Sequence, residues 1–183
     1  MLACEPPVGG IRVARLAAAG PILVVENKAT FDSAWRGLRR DAEKERPIGY
    51  AAVVFGGGDH AASLVTDLRF FPELVGVQTT RIDYAGDVDV AGVSAAAAFI
   101  DTAQRAGLAA GPAMPLWRAL GAAPHAGEDL TGDEHERRSA IAAVNRLGLP
   151  DVVSARLAER VRVPQERLDR TAFADTTWWT PNA

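Results

Sequence analysis

Residues 21–31, Pro21-Ile22-Leu23-Val24-Val25-Glu26-Asn27-Lys28-Ala29-Thr30-Phe31, join two different periods. The first five form a short apolar run rich in branched side chains, the composition of a strand buried on both faces. Immediately afterwards Phe31, Ala34, Trp35 and Leu38 fall at i, i+3, i+4 and i+7, which predicts a helix with Thr30 placed to cap its start. The charged run at 39–46 reads as a solvated end, stopped by Pro47. A strand running directly into an amphipathic helix is half of a βαβ unit.

Working outward, the scheme repeats. Residues 50–55 (YAAVVF) predict a second strand, followed by a tight turn at Gly56-Gly57-Gly58. Asp59 is placed to cap a helix carrying Ala61, Leu64, Val65 and Leu68. Residues 76–84 predict a third strand and 85–92 a loop, with Val93, Ala96, Ala97 and Ile100 marking the next helix. Three such units imply an α/β fold, a parallel sheet flanked by helices, with all strand-to-helix loops at one edge. Beyond Gly111 the expectations are a short strand over 113–115, a helical turn over 115–120 and a loop over 121–127. A capping box Thr131…Glu134 opens a helix to about Leu147, and a second helix covers 152–161, giving a helical C-terminal extension. Val161-Arg162-Val163 reads as a short strand that Pro164 turns. The domain plan is a lead-in segment over 1–20, a catalytic domain over 21–170 and a tail over 171–183.

The composition narrows the class. With 183 residues, 48% of them hydrophobic, the chain can bury one domain-sized core. No stretch of about 18 apolar residues exists to span a membrane, and the start has no basic segment leading into an apolar one, so no secretory leader is expected. A lone cysteine, Cys4, excludes an internal disulfide framework and fits a cytoplasmic location. The net charge, 20 − 23 = −3, argues against a basic nucleic-acid clamp within this chain.

Ligands of open parallel sheets bind beyond the carboxyl ends of the strands. Glu26 follows the first strand, Asp59 the second, and Asp87 and Asp89 the third. Taken singly, each is an ordinary surface or capping acid. Together, a Glu after one buried strand and a glycine-flanked DxD after another favour a cation site, because grouped carboxylates repel without compensation. Mg²⁺ accepts a few carboxylates together with waters and phosphate oxygens. The glycine triplet matches neither phosphate-loop nor dinucleotide spacing. His60, His125 and His135 are unclustered, Tyr50 and Tyr84 read as strand residues, and Trp35 reads as core.

The segments Glu26-Asn27-Lys28-Ala29-Thr30-Phe31 and Gly86-Asp87-Val88-Asp89-Val90-Ala91-Gly92, in this order and on these strands, resemble the Toprim family of topoisomerases, primases and some nucleases. With Gln165-Glu166-Arg167 near the C-terminus, the resemblance is greatest to the JetD-like nuclease subunits of Wadjet anti-plasmid systems, which are similar to the A subunit of topoisomerase VI. The resemblance spans roughly residues 21–170 and implies a Rossmann-like Toprim sheet. It implies a metal-dependent DNA endonuclease in which Glu26, Asp87 and Asp89 hold Mg²⁺ or Mn²⁺. The implied partners are DNA, an SMC-like Wadjet complex and a second copy of the chain, with no membrane. A non-cutting Toprim-derived module that recruits a partner complex is the rival expectation. The resemblance also singles out Glu166, for which two roles stay open. It is either a structural partner of Arg162, Arg167 or Arg170, or a further ligand or base at the acidic edge.

Overall fold

A computed structural model describes residues 12–57, 77–124 and 127–179. Strands β1 (Arg12–Arg15), β2 (Ala19–Val25), β3 (Ala52–Phe55), β4 (Gln78–Ala85) and β5 (Ala110–Pro112) form one sheet in the order β1-β3-β2-β4-β5. β2, β3, β4 and β5 are parallel, and β1 closes the β3 edge antiparallel. Ile22, Leu23, Val24 and Val25 are all fully buried, as expected of a strand covered on both faces. Pro21, which has no N–H for the ladder, sits where the β2–β4 register shifts between Gly20 and Ile22.

Helix α1 (Lys28–Glu43) follows β2, and α2 (Val90–Arg105) follows β4. α3 (Met114–Ala122), α4 (Glu134–Leu147) and α5 (Asp151–Ala158) then pack in sequence, α4 against α2 and α5 against both α3 and α4. A two-stranded ribbon of β6 (Gly127–Glu128) and β7 (Val161–Arg162) lies outside the main sheet. The α/β architecture, the mostly parallel sheet and the helical C-terminal extension follow the sequence patterns. Among the described residues no helix is long and apolar enough to cross a membrane.

Several boundaries differ from the periodic reading, each for a local reason. Asn27, not Thr30, caps α1: its Oδ1 accepts from the amides of Ala29 (2.7 Å) and Thr30 (3.4 Å). The short strand β5 lies at 110–112 rather than 113–115, because Pro115 sits in the first turn of α3, where its missing N–H costs nothing. The capping box belongs to Asp133 and Glu136, while the Thr131 hydroxyl donates to Asp129. Residues 12–15 of the expected lead-in form β1. Residues 171–179 of the expected tail are packed: Trp179 is fully buried, stacked on Tyr50 at 6.0 Å and edge-on to Phe173 at 5.0 Å. Trp35 is half-buried beneath the Arg39 guanidinium rather than in the core. Cys4, Gly58, Asp59, His60, His125 and the helix expected over 61–68 lie outside the described residues.

Candidate acidic site at the strand switch point

The central strands β2 and β4 lie side by side, yet β2 leads to β3 on one side and β4 leads to β5 on the other. That reversal is a topological switch point, where chain leaving the two strands diverges and opens a crevice. Glu26 leaves β2 there, and its amide donates to Ala85 at the end of β4 (3.3 Å). Asp87 and Asp89 leave β4 at the same edge, so the three expected acids follow neighbouring strand ends.

The turn holding Asp87 and Asp89 depends on its two flanking glycines. A Cβ at Gly86 would stand 2.9 Å from Glu26 Oε2 and 3.1 Å from the Gly92 carbonyl. At Gly92 a Cβ would run into the Asp87 backbone, including its nitrogen at 2.8 Å. The spacing G-D-x-D-x-x-G therefore folds the chain back on itself while the Glu26 carboxylate lies against Gly86. Asp89 is the N-cap of α2, its Oδ1 accepting from the Gly92 amide at 2.7 Å.

The third motif segment closes over this turn. Val88 and Val163, both fully buried, exchange backbone hydrogen bonds of 2.9 and 3.0 Å. The pairing positions the fully buried Gln165 as a bridge. Its amide donates to Asp87 Oδ1 (2.9 Å), and its Oε1 accepts from the Asn27 amide (3.2 Å). The exposed Glu166 accepts from Asn27 Nδ2 at 2.5 Å. Asn27 thus caps α1 with its oxygen and holds Glu166 with its nitrogen. The hydrogen bond to Glu166 comes from this amide, while its charge also acts on Arg162, one of the three arginines the sequence offers as partners.

Arg162 was the residue whose part in the site sequence reading missed. Its Nη2 donates to Asp87 Oδ2 at 2.9 Å, and its Nε pairs with Asp89 Oδ2 at 3.2 Å. The guanidinium stays protonated above its ordinary range, chiefly through the Asp87 hydrogen bond, with the charges of Asp87, Asp89 and Glu166 adding to it. Burial raises the Asp89 carboxyl above its ordinary value; the Gly92 amide and Arg162 oppose the shift, while Asp87 and Asp129 reinforce it. The sequence offers Arg162 as a partner for Glu166 and as a basic residue between two valines in Val161-Arg162-Val163, and neither signal points to Asp87 and Asp89.

Beneath the acids, Tyr84 is fully buried against Phe99, with ring centroids 4.9 Å apart. Burial, with the charges of Glu26 and Asp87, raises its hydroxyl far above the ordinary tyrosine value, so it cannot serve as a phenolate nucleophile near neutral pH. Tyr50 is held neutral in the same way by burial and by Asp83, to which its hydroxyl donates at 3.2 Å. The Tyr84 hydroxyl and Gln165 Nε2 are buried without a hydrogen-bond partner among the described residues.

The donor chemistry of Glu26, Asp87 and Asp89 is hard carboxylate oxygen, the kind Mg²⁺ and Mn²⁺ take. In the arrangement described, Asp87 and Asp89 are compensated by Arg162 and by backbone amides, in the place a cation would take. Among the described residues no three acidic, histidine or cysteine side chains converge as a metal-holding group. All four oxygens of Asp87 and Asp89 already face a donor, two of them on Arg162. Comparison with protein-family models, with curated proteins and with solved structures returned no match.

Proposed function

We propose that this chain is a Toprim-type DNA endonuclease domain of the JetD-like kind, hydrolysing phosphodiester bonds with Mg²⁺ or Mn²⁺ as its cofactor and acting in defence against foreign DNA. One observation carries the reading. Three segments far apart in sequence, at 26–31, 86–92 and 165–167, interlock at the crevice where a doubly wound sheet binds ligands. A purely structural role for each segment would not require all three at that edge.

The protein's own residues supply three functions at this site. Asp87 and Asp89 concentrate negative charge at the start of α2. Asn27 and Gln165 fix the spacing between the β2 and β4 loops. Glu166, exposed and oriented by Asn27, is the carboxylate placed to take a proton from a water approaching the edge. With both tyrosines buried and neutral, hydrolysis by water is favoured over a covalent tyrosyl intermediate. The rival reading, a non-cutting module that recruits an SMC-like complex, is favoured by the full engagement of Asp87 and Asp89 with Arg162 and backbone amides. Incubating the purified chain with closed-circular plasmid and Mg²⁺ or Mn²⁺, beside its Asp87→Asn variant, separates the two. The endonuclease reading expects nicking by the wild type alone. Equal absence of nicking from both proteins, with or without the partner complex, favours the recruiting module.

A further inference from the structure

Arg162 reaches the acidic turn through backbone pairing. The reciprocal hydrogen bonds between Val88 and Val163 set β7 beside the turn, and β7 is also paired with β6. Arg162, next to Val163, therefore extends across both aspartates by construction. It binds them with separate nitrogens, a fork that a lysine cannot reproduce. The remaining oxygens of Asp87 and Asp89 are held by the amides of Gln165 and Gly92. The turn is thus folded and charge-compensated by a cation belonging to the chain itself.

We propose that Arg162 is a resident counter-cation that excludes divalent ions from Asp87 and Asp89, so that a metal enters only when this guanidinium is displaced. The inference rests on the reading of this edge as a cation-using site and names the residue that controls its loading. Two positive groups cannot share the same carboxylate oxygens at close range without strong repulsion. The guanidinium is about half exposed, its side chain retaining 48% of its accessible surface, so it has room to swing outward without unpacking the core. Exposed Glu166, whose charge already acts on Arg162, is a carboxylate outside the turn within electrostatic reach of the guanidinium.

Mn²⁺ binding to the full chain, read from the electron paramagnetic resonance signal of free Mn²⁺, tests the inference without recourse to activity. Wild type should bind Mn²⁺ in or above the about 10⁻⁴–10⁻³ M range of weak oxygen-donor sites. Arg162→Gln should bind about tenfold tighter or more, Arg162→Lys should fall between, and adding Asp87→Asn to Arg162→Gln should cancel the gain. Equal affinity in wild type and Arg162→Gln overturns the proposal. So does a wild-type dissociation constant near 10⁻⁶ M, on the order of a high-affinity sensor site. Should Arg162→Gln fail to fold by circular dichroism, wild type against Arg162→Lys decides, and equal affinity there overturns it as well. Plasmid nicking is followed in parallel. Tighter Mn²⁺ binding by Arg162→Gln with no nicking by any variant supports the counter-cation and removes the endonuclease reading. Nicking with the same Mn²⁺ dependence in wild type and Arg162→Gln does the reverse.

Discussion

Gly86 and Gly92 bracket the acidic turn, and a methyl group at each meets a different obstacle. At Gly92 the obstacle is the Asp87 backbone, which cannot move without opening the turn. Gly92→Ala should lower stability by about 3 kcal/mol in denaturant unfolding. At Gly86 the nearest atom, 2.9 Å away, is the end of the Glu26 side chain, which can rotate. Gly86→Ala should fold with a smaller loss, about 1 kcal/mol, while displacing the Glu26 carboxylate and reducing any nicking activity. Asp89 gives a pH signature. Its folded-state pKa is raised from 3.8, mainly by burial, so its stability contribution is complete below pH 3.8 and lost as pH rises through the folded value. At neutral pH the charged carboxyl is therefore a net cost. Asp89→Asn keeps a good capping oxygen. Its thermal midpoint should equal or exceed that of wild type at pH 7, and the difference should shrink as pH approaches 3.8. A constant difference across that window would contradict the burial argument. Asp89→Ala, by contrast, loses the cap on the Gly92 amide, which offsets the gain from removing a buried charge.

Legibility changes at the scale of elements. The β2–α1, β3 and β4–α2 patterns could be read because their burial follows local periodicity, period two or continuous in strands and 3.6 in helices. Glu26, Asp87 and Asp89 could be placed at one edge because parallel strands share a carboxyl end. The ties among Asn27, Gln165 and Arg162 could not be read, since they depend on the Val88–Val163 pairing across 75 residues, and pairs of single residues leave no periodic trace. Caps were misassigned by two or three residues for a related reason. Thr131 and Thr30 are chemically adequate caps, but Asp129 claims the first as a partner, and α1 starts so soon after β2, with only Glu26 and Asn27 between them, that Asn27 takes the place of the second. The α4 cap is testable. The amide of Glu136, donating to Asp133 at 2.8 Å, holds the Asp133 carboxyl below its ordinary value. A lowered folded pKa contributes stability above the unfolded value that is lost as pH falls through the folded one. Asp133→Ala should therefore lower the thermal midpoint at pH 7, and the penalty should fade on acidification below pH 3.8.

Across the whole molecule, the C-terminal chain acts as a strap. From β7 it crosses the acidic turn, supplies Gln165 and Glu166 to the β2 loop, and then packs Phe173 and Trp179 toward Tyr50. The same segment that brings Arg162 to the acids is thus anchored by aromatic burial some distance away. Trp179→Ala should cost about 3–5 kcal/mol in unfolding free energy, the range for emptying a buried aromatic site. What the strap does not supply is a surface for holding duplex DNA. The chain carries 20 basic and 23 acidic residues, and the guanidinium at the crevice, Arg162, is committed to Asp87 and Asp89. Affinity for duplex DNA comes mainly from phosphate neutralisation by clustered Lys and Arg, and no uninterrupted basic run here exceeds two residues, at Arg137-Arg138 and at Arg39-Arg40. Those two side chains are partly committed, Arg39 to Glu43 at 2.8 Å and Arg40 to the Ala174 carbonyl at 2.7 Å. The chain alone should therefore bind duplex DNA at physiological salt no tighter than the about 10⁻⁴–10⁻⁶ M of non-specific association. Fluorescence anisotropy with a labelled duplex checks this. Nanomolar binding would mean that a basic surface not evident in this charge distribution carries the DNA, whereas micromolar or weaker binding assigns that task to a partner.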